Sequence, residues 1–121
     1  VLADSKMEEL GMPQSRAETI KRFAAAVVSG EIDLSAVAAI EDVVSSLEKL
    51  PGIGSWTSHL IAGRVMGSQD AFPASDLGLR RAATRLLGLS CALSADELEE
   101  LSQQWRPFRT TAAAYLWMVA P

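Results

Sequence analysis

Residues 50–54, Leu-Pro-Gly-Ile-Gly, separate two runs of helical periodicity, and no other stretch restricts the fold as tightly. Lys49 closes an amphipathic run. Pro51 stops it, because proline has no amide proton to continue the ladder, and Gly52 and Gly54 bracket Ile53. Glycine readily takes the positive φ of a tight turn, and without a side chain it lets backbone approach a ligand closely. A second helical pattern starts at once with Ser55 and Trp56, so the unpaired N–H groups of its first turn favour an anion such as phosphate. On Pro-Gly-x-Gly alone, however, a plain helix–turn–helix corner with glycine at the C-cap is the simpler account.

The rest of the chain reads as helices with punctuation. Val1 to Leu10 predicts a short helix ending at Gly11. Ser15-Arg16-Ala17-Glu18 has the form of a capping box, predicting a helix from about Arg16 to Ser29 with Ser15 as its N-cap. Ile20, Phe23, Ala24, Val27 and Val28 form its apolar stripe, and Gly30 ends it. Leu34 to Leu50 predicts a further helix, broken near Glu41, with Val37, Ile40, Val44 and Leu47 facing inward. The second hairpin helix runs from Ser55 to about Met66 on an apolar face of Leu60, Ile61 and Val65. Ser75 is the expected N-cap of a helix from Asp76 to Leu87, stopped by Gly88. Ser94-Ala95-Asp96-Glu97 repeats the capping-box form and opens a helix to about Trp105. Pro107 interrupts, and a last helix covers Phe108 to Val119.

Composition agrees. Hydrophobic residues make up 49% of the chain but aromatics only 6%, and no run alternates with period two, so the expected class is all-α. The 121 residues suit one domain, able to bury about two-thirds of the unfolded chain's surface. A single cysteine, Cys91, excludes an internal disulfide and an all-cysteine iron–sulfur site, and its expected role is a small buried hydrophobe. One histidine and one cysteine cannot complete a zinc site. The longest apolar run, Ala112 to Ala120, is too short to span a bilayer, so no membrane partner is expected. Net charge is −4, against a protein that coats DNA by bulk electrostatics. Yet residues 1–50 hold five Lys/Arg against nine Asp/Glu, whereas residues 51–90 hold four arginines against Asp70 and Asp76. The local excess of positive charge lies beside the hairpin.

Taken together, LPGIGSWTSHLIAGR and the following DAFPASD resemble the helix-hairpin-helix DNA glycosylase superfamily, and within it the DNA-3-methyladenine glycosylase II branch (AlkA type). GMPQSRAETI before this core and WRPFRTTAAAYLW after it extend the resemblance, in order, over nearly the whole chain. It implies an all-α, helix-hairpin-helix glycosylase-like bundle that is N-terminally incomplete, since family members carry further helices of the domain ahead of GMPQSRAE. Residues 1–121 are then the C-terminal portion of the domain, and Val1 in place of Met fits a processed or partial chain.

The resemblance also implies a chemistry. Asp76 falls at the family's catalytic aspartate. Cleaving an N-glycosidic bond develops positive charge on the sugar, which a carboxylate beneath it stabilises while orienting or deprotonating water. Such enzymes first extrude the nucleotide, because the sugar is inaccessible within the duplex. On its residues alone, Asp76 reads first as an acid that supports the helix cap beside Ser75, and it is the resemblance that turns the reading to catalysis. Trp56 stands where bifunctional relatives carry a Schiff-base lysine, so hydrolysis without a lyase step is implied. Trp117 and Trp56 match pocket tryptophans, whose faces attract a cationic alkylated purine, although core packing is an equally ordinary role for either. Leu60 replaces an aromatic residue of that base pocket. Gly52, Gly54, Ser55 and Thr57 are the implied phosphate contacts, which position DNA without reading its sequence. The carbonyls of Glu48, Leu50 and Ile53 are implied to hold a monovalent cation, Na or K; catalysis itself is implied to need no cofactor. His59 reads as an exposed imidazole, Trp105 as a core residue, and Arg106 and Arg109 as either interhelix pairs or DNA contacts.

The expectation is a monofunctional alkylpurine (3-methyladenine-like) DNA glycosylase of base excision repair, in the bacterial cytoplasm with the nucleoid. Its partner is double-stranded DNA with alkylated bases, together with a missing N-terminal domain or a second copy covering apolar faces left by absent helices. The alternatives are a non-catalytic DNA-binding hairpin module, with Asp76 only a cap, and an inactive fragment of a larger regulator–glycosylase fusion.

Overall fold

A computed structural model describes residues 1, 4, 6–35 and 37–120, and every regular element among them is helical. The chain divides into two compact units, Val1–Gly54 and Ser55–Pro121.

In the first unit a 3-10 turn, Met7–Leu10, ends at Gly11; the part of the expected first helix on residues 2, 3 and 5 lies outside the described residues. Helix α1 spans Gln14–Val28 and begins earlier than the capping-box letters predicted. Pro13 is its N-cap, and its carbonyl receives the amides of Arg16 and Ala17. The fixed φ of proline suits a helix start. Ser15 is therefore inside the first turn and caps nothing. Ala17 and Ala26 are the buried residues of α1; Ile20, Phe23, Ala24 and Val27 are half-buried, while Val28 is exposed at the very end. Past Gly30, the Ile32 amide returns to the Ala26 carbonyl, which seals the helix end.

Helix α2 spans only Ile40–Glu48, six residues shorter at its start than expected. The Asp33 carboxylate takes the Ser35 amide at 2.8 Å, a local bond that competes with helix formation. That bond, and a further one from the Ser35 side chain, hold the Asp33 carboxyl below the ordinary aspartate range. Val37 consequently lies outside any helix and is 91% exposed, rather than facing inward. Val43 and Leu47 are the buried positions of α2.

The second unit contains α3 (Ser55–Arg64), α4 (Leu77–Leu86), α5 (Ala95–Ser102), a 3-10 turn (Gln103–Trp105) and α6 (Arg109–Val119). Its core joins Phe72, Ala74, Leu79, Ala82, Ala83, Leu98, Ala113 and Leu116. Alanines on α4 and α6 keep facing side chains short where these two helices pack together. The Trp105 ring meets Phe72 at 5.8 Å in a tilted pair, as a core residue would. Helix α3 stops at Arg64, because the amides of Val65 and Met66 both return to Ile61 and Ser68 closes on Ala62 around Gly67. Val65 is thus past the helix and exposed. The capping box at Ser94 and Glu97 forms as its letters predicted. Cys91 is exposed rather than buried, since it falls in the loop between α4 and α5.

Arg109 is buried and ties the unit together. It binds Asp70 at 2.8 and 3.2 Å and Glu99 at 2.7 Å, while Arg106 binds Asp70 at 2.6 Å. Both arginines are engaged in ion pairs within the unit, Arg109 joining α6 to α5 through Glu99 and both arginines holding Asp70 of the loop before α4. Thr110 completes the same junction by donating to the carbonyls of Ser68 and Ala71.

Candidate active site

Asp76, not Ser75, is the N-cap of α4. Its backbone is extended, and its Oδ1 accepts the Leu79 amide at 2.8 Å. Two indoles complete its surroundings. Trp56, from the first turn of α3, donates its Nε1–H to Oδ2 at 2.6 Å; Trp117, from α6, donates to Oδ1 at 3.2 Å. Three helices thus converge on one carboxylate. Oδ1 has both acceptor positions filled, whereas Oδ2 keeps acceptor capacity beyond its Trp56 bond.

Partial burial is the largest single influence on this acid and opposes its charge. The hydrogen bonds from Leu79, Trp56, Trp117 and the Gly78 amide together outweigh it and hold the Asp76 carboxyl below the ordinary aspartate value. Gly78 also supplies space. A Cβ there would stand 3.0 Å from Asp76 Oδ1 and 3.8 Å from Trp117 Cδ1. Sequence reasoning passed over Gly78; the available signal was a glycine in the first turn of a helix, where most other residues are better helix formers.

Beside this cluster lies a cavity of about 200 Å³, walled by Leu60, Gly63, Ala71, Pro73, Ala113 and Trp117, with His59, Arg64 and Thr110 at its polar positions. Leu60 and Trp117, two of the three expected pocket residues, line it; Trp56 does not, and spends its polar edge on Asp76 instead. The Arg64 guanidinium stands 5.6 Å from the centre of the Trp117 ring. His59 is half-buried, not an exposed imidazole. Its Nδ1–H donates to the Ser55 carbonyl at 2.9 Å, which folds the ring back along α3.

The first unit holds the glycine turn. Gly52 has φ 92°, and a Cβ on it would lie 2.1 Å from Thr19 Oγ1. That hydroxyl sits within hydrogen-bond reach of the Pro51 carbonyl (3.1 Å) and of the Ser15 carbonyl (3.0 Å), so α1 braces the turn at the point where glycine is required. Ile53 is buried as the plug of the turn, and its amide closes on the Leu50 carbonyl at 3.1 Å. Ser55 and Thr57 belong to the first turn of α3 in the second unit. Among the described residues no group of three or more His, Cys, Asp or Glu could hold a metal ion, and no helix is long and apolar enough to cross a membrane.

A family model described as "HhH-GPD superfamily base excision DNA repair protein" matches residues 2–107. The chain belongs to that superfamily. Among HhH-GPD relatives, it is 40% identical over 116 residues to the "Probable bifunctional transcriptional activator/DNA repair enzyme AlkA" of Mycobacterium tuberculosis, covering 96% of this chain and 23% of that protein. It is 28% identical to DNA-3-methyladenine glycosylase 2 of Escherichia coli, over 92% of this chain and 37% of the relative. The 3-methyladenine DNA glycosylase of Schizosaccharomyces pombe, solved in complex with abasic DNA, superposes with a TM-score of 0.85 at 28% identity, over 96% of this chain and 59% of that one. The chain therefore spans less than two-thirds of each of these relatives.

Proposed function

We propose that this chain carries the acid and the DNA-gripping turn of a monofunctional glycosylase that hydrolyses the N-glycosidic bond of alkylated purines in duplex DNA. The observation that supports it most is the carboxylate of Asp76, kept ionised and aimed by two indole N–H groups. A carboxyl depressed in this way is a weak proton acceptor, because an effective general base needs a pKa near the working pH. Its stronger contribution is a fixed negative charge, preorganised for positive charge developing on a sugar.

On this reading the bond from sugar to base breaks first. The departing base takes the bonding electron pair, and a base already cationic leaves neutral. Asp76 stabilises the sugar cation until water adds at the anomeric carbon and loses a proton. Trp56, in the place of a Schiff-base lysine, offers no amine, so the product is an abasic site. In the first unit the Gly52 and Gly54 amides serve a backbone phosphate, and in the second Ser55 and Thr57 serve likewise at the start of α3. A monovalent cation on the carbonyls of Glu48, Leu50 and Ile53 would add positive charge for that phosphate. The Leu50 carbonyl retains one lone pair for it after accepting the Ile53 amide.

The cap at Leu79 favours a second reading, in which Asp76 only starts α4 and the chain is a DNA-binding module. Asp76→Asn separates the two, since asparagine caps a helix about as well as aspartate but carries no charge. Purified chain incubated with methylated duplex DNA should release free 3-methyladenine, and Asp76→Asn should lose at least about a hundredfold of that rate. Duplex binding without release, or release that the substitution leaves intact, rejects the enzymatic role of Asp76.

A further inference from the structure

The face of Trp117 already has a cation on it. Arg64 lies 5.6 Å from the ring centre, within the range of a cation–π contact, and the ring itself is fixed by its bond to Asp76. Arg64 is the last residue of α3, where the helix dipole favours a positive charge. It has no carboxylate partner among the described residues. The cavity walls around it, Leu60, Ala71, Pro73 and Ala113, offer no group that could neutralise it.

We infer that Arg64 is a specificity-determining residue, a resident cation that disfavours positively charged bases in the Trp117-walled cavity relative to neutral ones. This rests on the reading that the cavity receives the extruded base. A cationic purine seeking the same aromatic face must displace the guanidinium or lie beside a like charge. A neutral purine must move the guanidinium aside as well but meets no like charge, so the penalty that discriminates is the repulsion between cations. The arginine therefore flattens a preference for cationic bases that the bare tryptophan would impose.

The test replaces Arg64 by methionine, which keeps an apolar stem and removes the charge, and by lysine, which keeps the charge. Single-turnover release is measured for 7-methylguanine, a cationic base in DNA, and for hypoxanthine, a neutral one. The ratio of the two rates should rise about two- to fivefold in Arg64→Met, the worth of an exposed cation–π contact, and stay near the wild-type ratio in Arg64→Lys. A second readout needs no catalysis. Tryptophan fluorescence titrations with 1-methyladenosine, cationic at neutral pH, should show tighter binding to Arg64→Met than to wild type by the same factor, with no change for adenosine. An unchanged or lowered ratio, or equal binding of 1-methyladenosine by both proteins, overturns the inference. Charge-selective tightening with no base released by any variant would leave Arg64 as the filter and reject the glycosylase reading instead.

Discussion

Trp56→Phe tests the carboxylate cluster most directly. The substitution keeps an aromatic ring and deletes one donor, the indole N–H that meets Asp76 Oδ2 at 2.6 Å. Hydrogen bonds to an ionised partner contribute about 1.5–3 kcal/mol. Trp56 is 46% exposed, so water can replace the lost donor, and the low end of that range applies. The expected loss at neutral pH is about 1–1.5 kcal/mol, or ~4–12 °C in melting temperature for a domain of this size. The folded-state pKa of Asp76 lies below its unfolded value. The bond's contribution is therefore complete above the unfolded pKa, about 3.9, and is lost as pH falls through the lower folded one.

Two assays check this. Carbon-13 shifts of the Asp76 carboxyl, followed against pH, should give a midpoint below the ordinary aspartate range in wild type and a higher one in Trp56→Phe. Urea melts of Trp56→Phe, Asp76→Asn and the double variant should show a coupling of about 1 kcal/mol at neutral pH, because each single change removes the same charged bond. Additive effects together with unmoved carboxyl midpoints would refute the assignment of Trp56 as a donor that holds the charge.

Gly52→Ala should destabilise the first unit by more than the ~1–2 kcal/mol of left-handed strain, since the new methyl also strikes the Thr19 hydroxyl; Thr19→Ala should recover part of that loss in a double-mutant melt. Arg109→Met should cost about 1.5–3 kcal/mol in denaturant unfolding, because it deletes a buried guanidinium that bonds both Asp70 and Glu99 while Arg106 still pairs Asp70 and water still reaches Glu99, whereas the more exposed Arg106→Met should stay within ~1 kcal/mol.

Features written in adjacent residues were legible in the sequence. Ser94 and Glu97 bond each other's backbone three residues apart, so their letters suffice to place the start of α5. The same letters misled at Ser15, because Pro13 already fixes the helix start and takes the cap. Asp33 and Ser35 undid the early turn of α2 through a bond that apolar periodicity does not record. The acid of the candidate site could be placed at a helix start from sequence, yet its donors could not. Trp56 and Trp117 lie 20 and 41 residues from Asp76, and only packing brings their N–H groups to one carboxylate. Arg109 was open between pairing and DNA contact for the same reason, since its partners Asp70 and Glu99 are 39 and 10 residues away.

One residue thus serves two physical ends, and they reinforce each other. As the cap of α4, Asp76 must accept the Leu79 amide, which fixes its side-chain torsions and lowers its pKa. Those effects make it poor at taking a proton but well placed to hold a charge still, and fixed charge is the component of electrostatic catalysis that water cannot supply. On the proposed reading, selectivity must then come from the leaving group and from the cavity beside it. A base that departs easily needs little more than the stationary carboxylate, while a stable one would require a proton donor that Asp76, ionised and already committed to four N–H partners, cannot be. The indoles matter here through their edges: a tryptophan whose N–H is spent on the acid cannot turn its ring freely, so the face it shows to the cavity is set by the same bond that sets the charge.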